Sequence, residues 1–178
     1  SLMTAGLDND GDGYINLREA QLGTLAAGAD SDGDGLSDYT DVETHGTDPL
    51  ASDSDGDVAP DGWEIANGFN PLDGSDGVLD PDGDGLTNGQ EALAGSDIAA
   101  VDTDGDGLSD YDEYMTYQTN PASGDTDGDG LGDAVEIQVG LNPRHTDAHH
   151  DFDNDGLSNG EEVAAGTDIN AADTDQDG

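Results

Sequence analysis

Carboxylates crowd the stretch DTDGDGLSDYDEY, residues 102 to 114, and no basic residue answers them. Like charges a few ångströms apart repel, and taking carboxylates out of water costs several kcal/mol per ion unless a counter-charge is supplied. The pattern D-x-D-x-D-G recurs with first residues Asp8, Asp30, Asp80, Asp102, Asp125, Asp151 and Asp173, and once more from Asp53 with Val58 in the glycine place. Counted from each start as position 1, an acid or amide stands at position 9 and an acid at position 12 wherever the copy is complete. Alternate residues of a tight loop point inward, so this spacing gathers oxygen ligands around one hard cation, and the acid at position 12 closes the shell from the far side.

Oxygens at positions 1, 3, 5, 7 (a backbone carbonyl), 9 and 12, with glycine at 6 for the sharp turn, make up the calcium loop of an EF-hand. The candidate ligands are Asp8, Asp10, Asp12, Tyr14, Asn16 and Glu19 in the first copy and Asp30, Asp32, Asp34, Leu36, Asp38 and Asp41 in the second. The third supplies Asp53, Asp55, Asp57, Asp61 and Glu64, and the fourth Asp80, Asp82, Asp84, Leu86, Asn88 and Glu91. Next come Asp102, Asp104, Asp106, Leu108, Asp110 and Glu113, then Asp125, Asp127, Asp129, Leu131, Asp133 and Glu136. The seventh copy has Asp151, Asp153, Asp155, Leu157, Asn159 and Glu162, and the eighth stops after Asp173, Asp175 and Asp177. Calcium accepts six to eight oxygens in a flexible geometry, magnesium demands a tighter octahedron, and soft metals call for the Cys or clustered His ligands this pattern lacks.

Composition agrees. The 178 residues carry a formal charge of −42, with Arg18 and Arg144 as the only Lys or Arg, and 35 of the 44 acids fall at positions 1, 3, 5, 9 or 12 of a copy. The charge is placed and not scattered, which sets aside a merely solvated acidic surface. With 31% hydrophobic residues a single large core is excluded. Nucleic acid and anionic membranes would be repelled, and no apolar run is long enough to insert into a bilayer. Enzymatic activity has no support, because there is no Cys and His45, His145, His149 and His150 are not arranged with a nucleophile.

The intervals between starts follow a rule of three: a short interval, a slightly longer one, then the longest, which follows Asp53 and again Asp125. Position 9 keeps the same rule, being Asn in the first, fourth and seventh copies and Asp in the other complete ones. The chain is thus an array of triplets: an EF-hand-like unit over 1–29, one triplet over 30–101, a second over 102–172, and the start of a truncated repeat over 173–178. The parent chain is expected to continue that repeat. Positions 9 and 12 have the spacing of a helix N-cap and its third-residue acid, as in Asn88 with Glu91 and Asp110 with Glu113, so each loop should run straight into a short helix. Gly46, Gly68, Gly95, Gly140 and Gly166 suit the C-terminal cap. Ile15 at position 8, as in EF-hands, predicts a longer helix from Asn16 in the first unit. Asp48, Asn70, Asp97, Asn120, Asn142 and Asp168 recur in the following turn, either as further ligands or as Asx-turns. Val58 puts the geometry of its loop in doubt, because a β-branched residue resists a positive φ. Units this short cannot bury a core alone and must lean on their neighbours, and Trp63, Tyr39 and Tyr111 read as packing between units.

With loop, helix and turn in hand, DSDGDGLSDYTDVETHGTDP and DTDGDGLSDYDEYMTYQTNP resemble the thrombospondin type 3 repeat in its Cys-free bacterial form, over about residues 30 to 178. The resemblance implies an irregular, calcium-stabilised tandem repeat: an elongated, solenoid-like array of loops and short helices with little or no sheet. It implies a rod, stalk or fibril segment outside the cell or on its surface. The partners expected are calcium ions, one or more per repeat, together with further copies in a fibril or a surface partner. A dockerin-type protein-binding module and an EF-hand calcium buffer are the alternatives.

Overall fold

The protein is described by a computed structural model covering residues 6–174. No strand occurs among the described residues. Each complete repeat is a loop followed at position 9 by a short helix: Asn16–Leu22, Asp61–Asn67, Asn88–Ala94, Asp133–Val139 and Asn159–Ala165 are α-helical. In the repeat from Asp30, an α-helical turn Asp38–Thr40 continues as a π-helix over Asp41–His45, and the repeat from Asp102 has a π-helix over Asp112–Tyr117. The architecture is therefore an irregular tandem repeat of loops and short helices. The helix from Asn16 is no longer than the others, so the longer first helix suggested by Ile15 does not form.

The helices begin one residue earlier than the sequence spacing suggests. Position 8 is the N-cap, in extended conformation at Ile15, Ser37, Pro60, Gly132 and Ser158, and position 9 is the first helical residue. The Ser158 hydroxyl accepts from the N–H of Glu161 and the Glu161 carboxylate accepts from the N–H of Ser158, while Thr87 and Gln90 make the same reciprocal pair. This register frees the side chains of positions 9 and 12 to turn into the loop. At the far end the helix closes on a left-handed residue, glycine at 23, 46, 68, 95, 140 and 166, and Gln118 with φ 59° in the repeat from Asp102. In the repeats from Asp30 and Asp102 that cap lies one place farther past the position-12 acid than in the others. The π-helix absorbs the extra residue, and the Gly46 and Gln118 N–H groups still reach the carbonyl of the position-12 acid.

Two backbone features close each loop. The position-9 N–H donates to the carbonyl of the residue just before position 1, as in Asp61 to Ser52 at 2.9 Å and Asp133 to Gly124 at 3.0 Å. Positions 4 and 6 both take positive φ, usually as glycine. Val58 adopts φ 87°, and its N–H reaches Asp53 Oδ2 at 3.0 Å as Gly35 reaches Asp30 at 3.1 Å. The loop from Asp53 thus keeps the common position-1 bonds, and the strain sits on Val58 itself.

The chain divides into two compact units, one of residues 1–81 and 87–93, the other of 82–86 and 94–178. In the first, Tyr39 lies over Gly13 of the preceding loop and its ring meets that of Tyr14 edge-on at 5.2 Å. In the second, Tyr111 covers Gly85 in the same way. Trp63 differs from the expectation, because it stacks at 5.5 Å on Phe69 of its own repeat. Apolar burial is slight. Leu86 and Ala59 are fully buried, Tyr14, Leu141, Ala148 and Ile169 nearly so, and the other large side chains fully removed from water are acids and amides.

Candidate metal centre

Each loop is built by its own aspartates. In the loops from Asp30, Asp53, Asp102, Asp125 and Asp151 the position-1 carboxylate accepts the N–H of position 4 through Oδ1 and that of position 6 through Oδ2, as Asp102 does from Gly105 at 2.7 Å and Gly107 at 3.2 Å. The position-3 carboxylate accepts the N–H of position 5, except at Asp55, whose two oxygens are buried without a hydrogen-bond partner, and the position-5 carboxylate accepts that of position 7, as in the series Asp104, Asp106, Leu108. Carboxylate oxygens of Asp8, Asp10 and Asp12 come within 4.8 Å of one another, as do those of Asp30, Asp32 and Asp34 and of Asp53, Asp55 and Asp57. Positions 1, 3 and 5 are therefore brought together as the spacing predicts.

Position 12 completes the cluster from the helix. Glu19, Glu64, Glu113, Glu136 and Glu162 are fully buried and Asp41 nearly so. Both carboxylate oxygens of Glu19, Glu64, Glu136 and Glu162 are buried with no hydrogen-bond partner, as is one oxygen each of Asp41 and Glu113. Oδ2 of Asp10, Asp32, Asp82, Asp104, Asp127 and Asp153 shares that state. Leaving a buried charged acceptor unpaired costs several kcal/mol, so protons or a cation must take up these oxygens. Burial, with the neighbouring loop aspartates adding, pushes the carboxyls of Glu64 and Glu136 up to about 8, Glu113 to about 7 and Asp41 to about 6.

Position 9 plays a part the spacing does not disclose. Both oxygens of Asp38, Asp61, Asp110 and Asp133 accept hydrogen bonds from position 2 of the same loop: Ser54 donates its N–H to Asp61 Oδ1 at 2.8 Å and its hydroxyl to Asp61 Oδ2 at 2.6 Å. Ser31, Thr103 and Thr126 do the same. Each of these hydroxyls also accepts a backbone N–H from the preceding turn, that of Asp48 in the case of Ser54. Where position 9 is Asn, position 2 is Asn9, Pro81 or Phe152 and has no hydroxyl. Asn88 and Asn159 instead donate their side-chain amides, at 2.9 Å, to the carbonyls of Asp76 and Asp147, in the segments before their loops. The pairing of residue types at positions 2 and 9 across the repeats was the available sequence signal.

The recurring turn acids and amides form Asx-turns. Oδ1 of Asp48, Asn70, Asp97, Asn120, Asn142 and Asp168 accepts the N–H two residues on. Of the position-7 residues, Tyr14 and Leu86 are buried and Leu157 is exposed. Asp175 and Asp177 lie outside the described residues. No helix among the described residues is long and apolar enough to cross a membrane.

Comparison with known proteins agrees with the repeat. No curated protein matches the chain. Two solved structures share short stretches with it. One is a "Biofilm associated protein - B domain", 46% identical over 25% of this chain and 11% of that one, with a TM-score of 0.25. The other is a "Biofilm associated protein - BSP domain", 48% identical over 24% and 8%, with a TM-score of 0.23. The chain thus spans about a tenth of either protein. The sequence profile of the bacterial TSP3 repeat matches residues 30–52, 80–97, 102–123, 125–143 and 151–168. These five stretches cover more than half of the chain and coincide with five of its loop, helix and turn units, so the chain belongs to the bacterial TSP3 repeat family.

Proposed function

We propose that the chain is a calcium-binding structural segment, a stalk or fibril element of a surface or secreted protein, in which cations bound in the loops hold each repeat folded. The observation that carries this reading is the fully buried carboxylates of Glu19, Glu64, Glu136 and Glu162 at position 12, whose oxygens have no hydrogen-bond donor, in a chain with two basic residues. The donor set is all oxygen, carboxylate-rich and offered by flexible loops, which suits calcium over magnesium or a soft metal. Positions 1, 3, 5 and 12 would hold the ion, with the position-7 carbonyl beside them, while Asp at position 9 supports the loop through position 2. Millimolar calcium outside cells saturates even weak loops of this kind, which supports an extracellular setting.

Small-angle scattering and circular dichroism of the chain, in calcium and in excess chelator, test the reading. The chelated chain should be expanded and poor in helix, and calcium should restore both contraction and helicity. The same scattering profile in both conditions would overturn it.

A further inference from the structure

Two acids outside every loop motif, Asp76 and Asp147, lie in the longer segments that follow the repeats from Asp53 and Asp125. Asp76 is held at two points: its Oδ2 accepts the Asn70 N–H at 3.1 Å, and its carbonyl accepts the Asn88 side-chain amide at 2.9 Å. Its Oδ1 is left buried and without a donor. Carboxylate oxygens of Asp76, Asp57 and Glu64 lie within 4.8 Å of one another, and Glu64 is fully buried with neither oxygen bonded. Part of this arrangement recurs in the other compact unit, where the N–H of Ala148 donates to Asp129 Oδ2 at 2.6 Å and so places the adjoining Asp147 beside that loop. Asp147 is 6% exposed with a buried, unpaired Oδ1, its carbonyl accepts the Asn159 amide, and Glu136 is fully buried with both oxygens unpaired.

These two repeats also lack an oxygen partner that others have. In the repeats from Asp30 and Asp102, the residue after the helix cap is Thr47 or Thr119, whose hydroxyl donates to the position-12 acid at 2.9 and 3.2 Å. Here that residue is Phe69 or Leu141. Asp61 and Asp133 meanwhile accept two bonds each from position 2. We infer that Asp76 and Asp147 are cation ligands, acting with Asp57 and Glu64 and with Asp129 and Glu136, and that they make these two repeats the tightest calcium sites of the chain. The inference rests on the calcium reading of the loops.

Trp63, the only tryptophan, sits on the helix of the repeat from Asp53, next to its position-12 acid Glu64, and reports on that repeat. Its fluorescence is followed while calcium is added to the chelated full chain. Asp76→Asn should raise the midpoint calcium concentration at least tenfold, and Asp147→Asn should leave it unchanged. Asp73→Asn, which removes the same charge from an exposed residue of the same segment, should shift it less than twofold. Equal shifts for Asp73→Asn and Asp76→Asn, or none for Asp76→Asn, would overturn the inference. Competition with a calcium-chelating dye gives a second readout: two tight sites in the wild type, one in either single variant, none when both substitutions are present. A tight class unchanged by both substitutions also overturns it, whereas a chain that takes up no calcium overturns the loop reading beneath it.

Discussion

The N–H of Ala134 donates to Oδ2 of Asp106 at 3.2 Å, while Oδ1 of the same carboxylate holds the N–H of Leu108 in its own loop. One side chain at position 5 thus supports its loop and the start of the helix in the next repeat. Gly62 with Asp34 and Tyr39 with Asp12 repeat the link in the other compact unit. Asp106→Ala should therefore weaken calcium binding at the loop from Asp102 and also at the loop from Asp125, the latter by about tenfold, the lower end of the ~1.5–3 kcal/mol of a hydrogen bond to a charged group. Calcium titrations followed through the amide signals of Gly107 and Gly130 check both effects. A shift confined to Gly107 would show the repeats to be independent.

The raised carboxyls set a pH dependence. With folded values of about 8 for Glu64 and Glu136 and about 7 for Glu113, above the ordinary glutamate range, the metal-free fold is favoured at acid pH and loses that stability as pH rises through 7 to 8. The chelated chain should gain helical signal on acidification from pH 8 to 5. Calcium must displace these protons, so its affinity should rise over the same interval. Proton release on calcium addition at pH 7, measured at constant pH, checks the coupling.

The pairing of positions 2 and 9 predicts strong non-additivity. Ser54→Ala leaves Asp61 Oδ2 and the Asp48 N–H without their partner and should cost ~1–3 kcal/mol in the calcium-loaded protein. Asp61→Asn in that background should cost much less than in the wild type. A double-mutant cycle from calorimetric unfolding measures the coupling.

Val58 offers a stabilising change. A side chain held in the left-handed region costs ~1–2 kcal/mol, and Val58 is exposed, so little apolar burial is lost with it. Val58→Gly should raise the stability of the loop from Asp53 by about 1 kcal/mol, with calcium binding there intact. Thermal unfolding in saturating calcium checks the sign.

The loop was legible because its chemistry obliges acids to stand at alternate positions, and alternation survives any arrangement of the rest. The meeting of Asp8, Asp10 and Asp12, the burial of Glu19 and the left-handed cap at Gly46 could all be read from spacing alone. The role of Asp38 could not. An acid at position 9 fits a ligand list and a hydrogen-bond acceptor equally well, and spacing alone does not disclose the two bonds that Ser31 donates to Asp38. Asp76 and Asp147 carry no sequence signal, because their place depends on a longer connecting segment folding back, which no short motif encodes. Trp63 reads from the sequence as packing between units, whereas its ring stacks on Phe69, just past the cap of its own helix.

The π-helical turns at Asp41–His45 and Asp112–Tyr117 bear on how such a chain can change over generations. From Gly46 to Asp53 and from Gln118 to Asp125 the chain covers the same number of positions as from Gly23, Gly95 or Gly166 to the loop that follows each. An added codon just behind the position-12 acid is therefore taken up within one turn, and everything downstream stays in phase. Gene duplication and unequal crossing-over can then mix shorter and longer repeats without a frame for the helices to keep. The segments after Gly68 and Gly140 tolerate still larger differences, since the next loops begin only at Asp80 and Asp151. Length is thus a free variable for this kind of chain, set by the number of units copied.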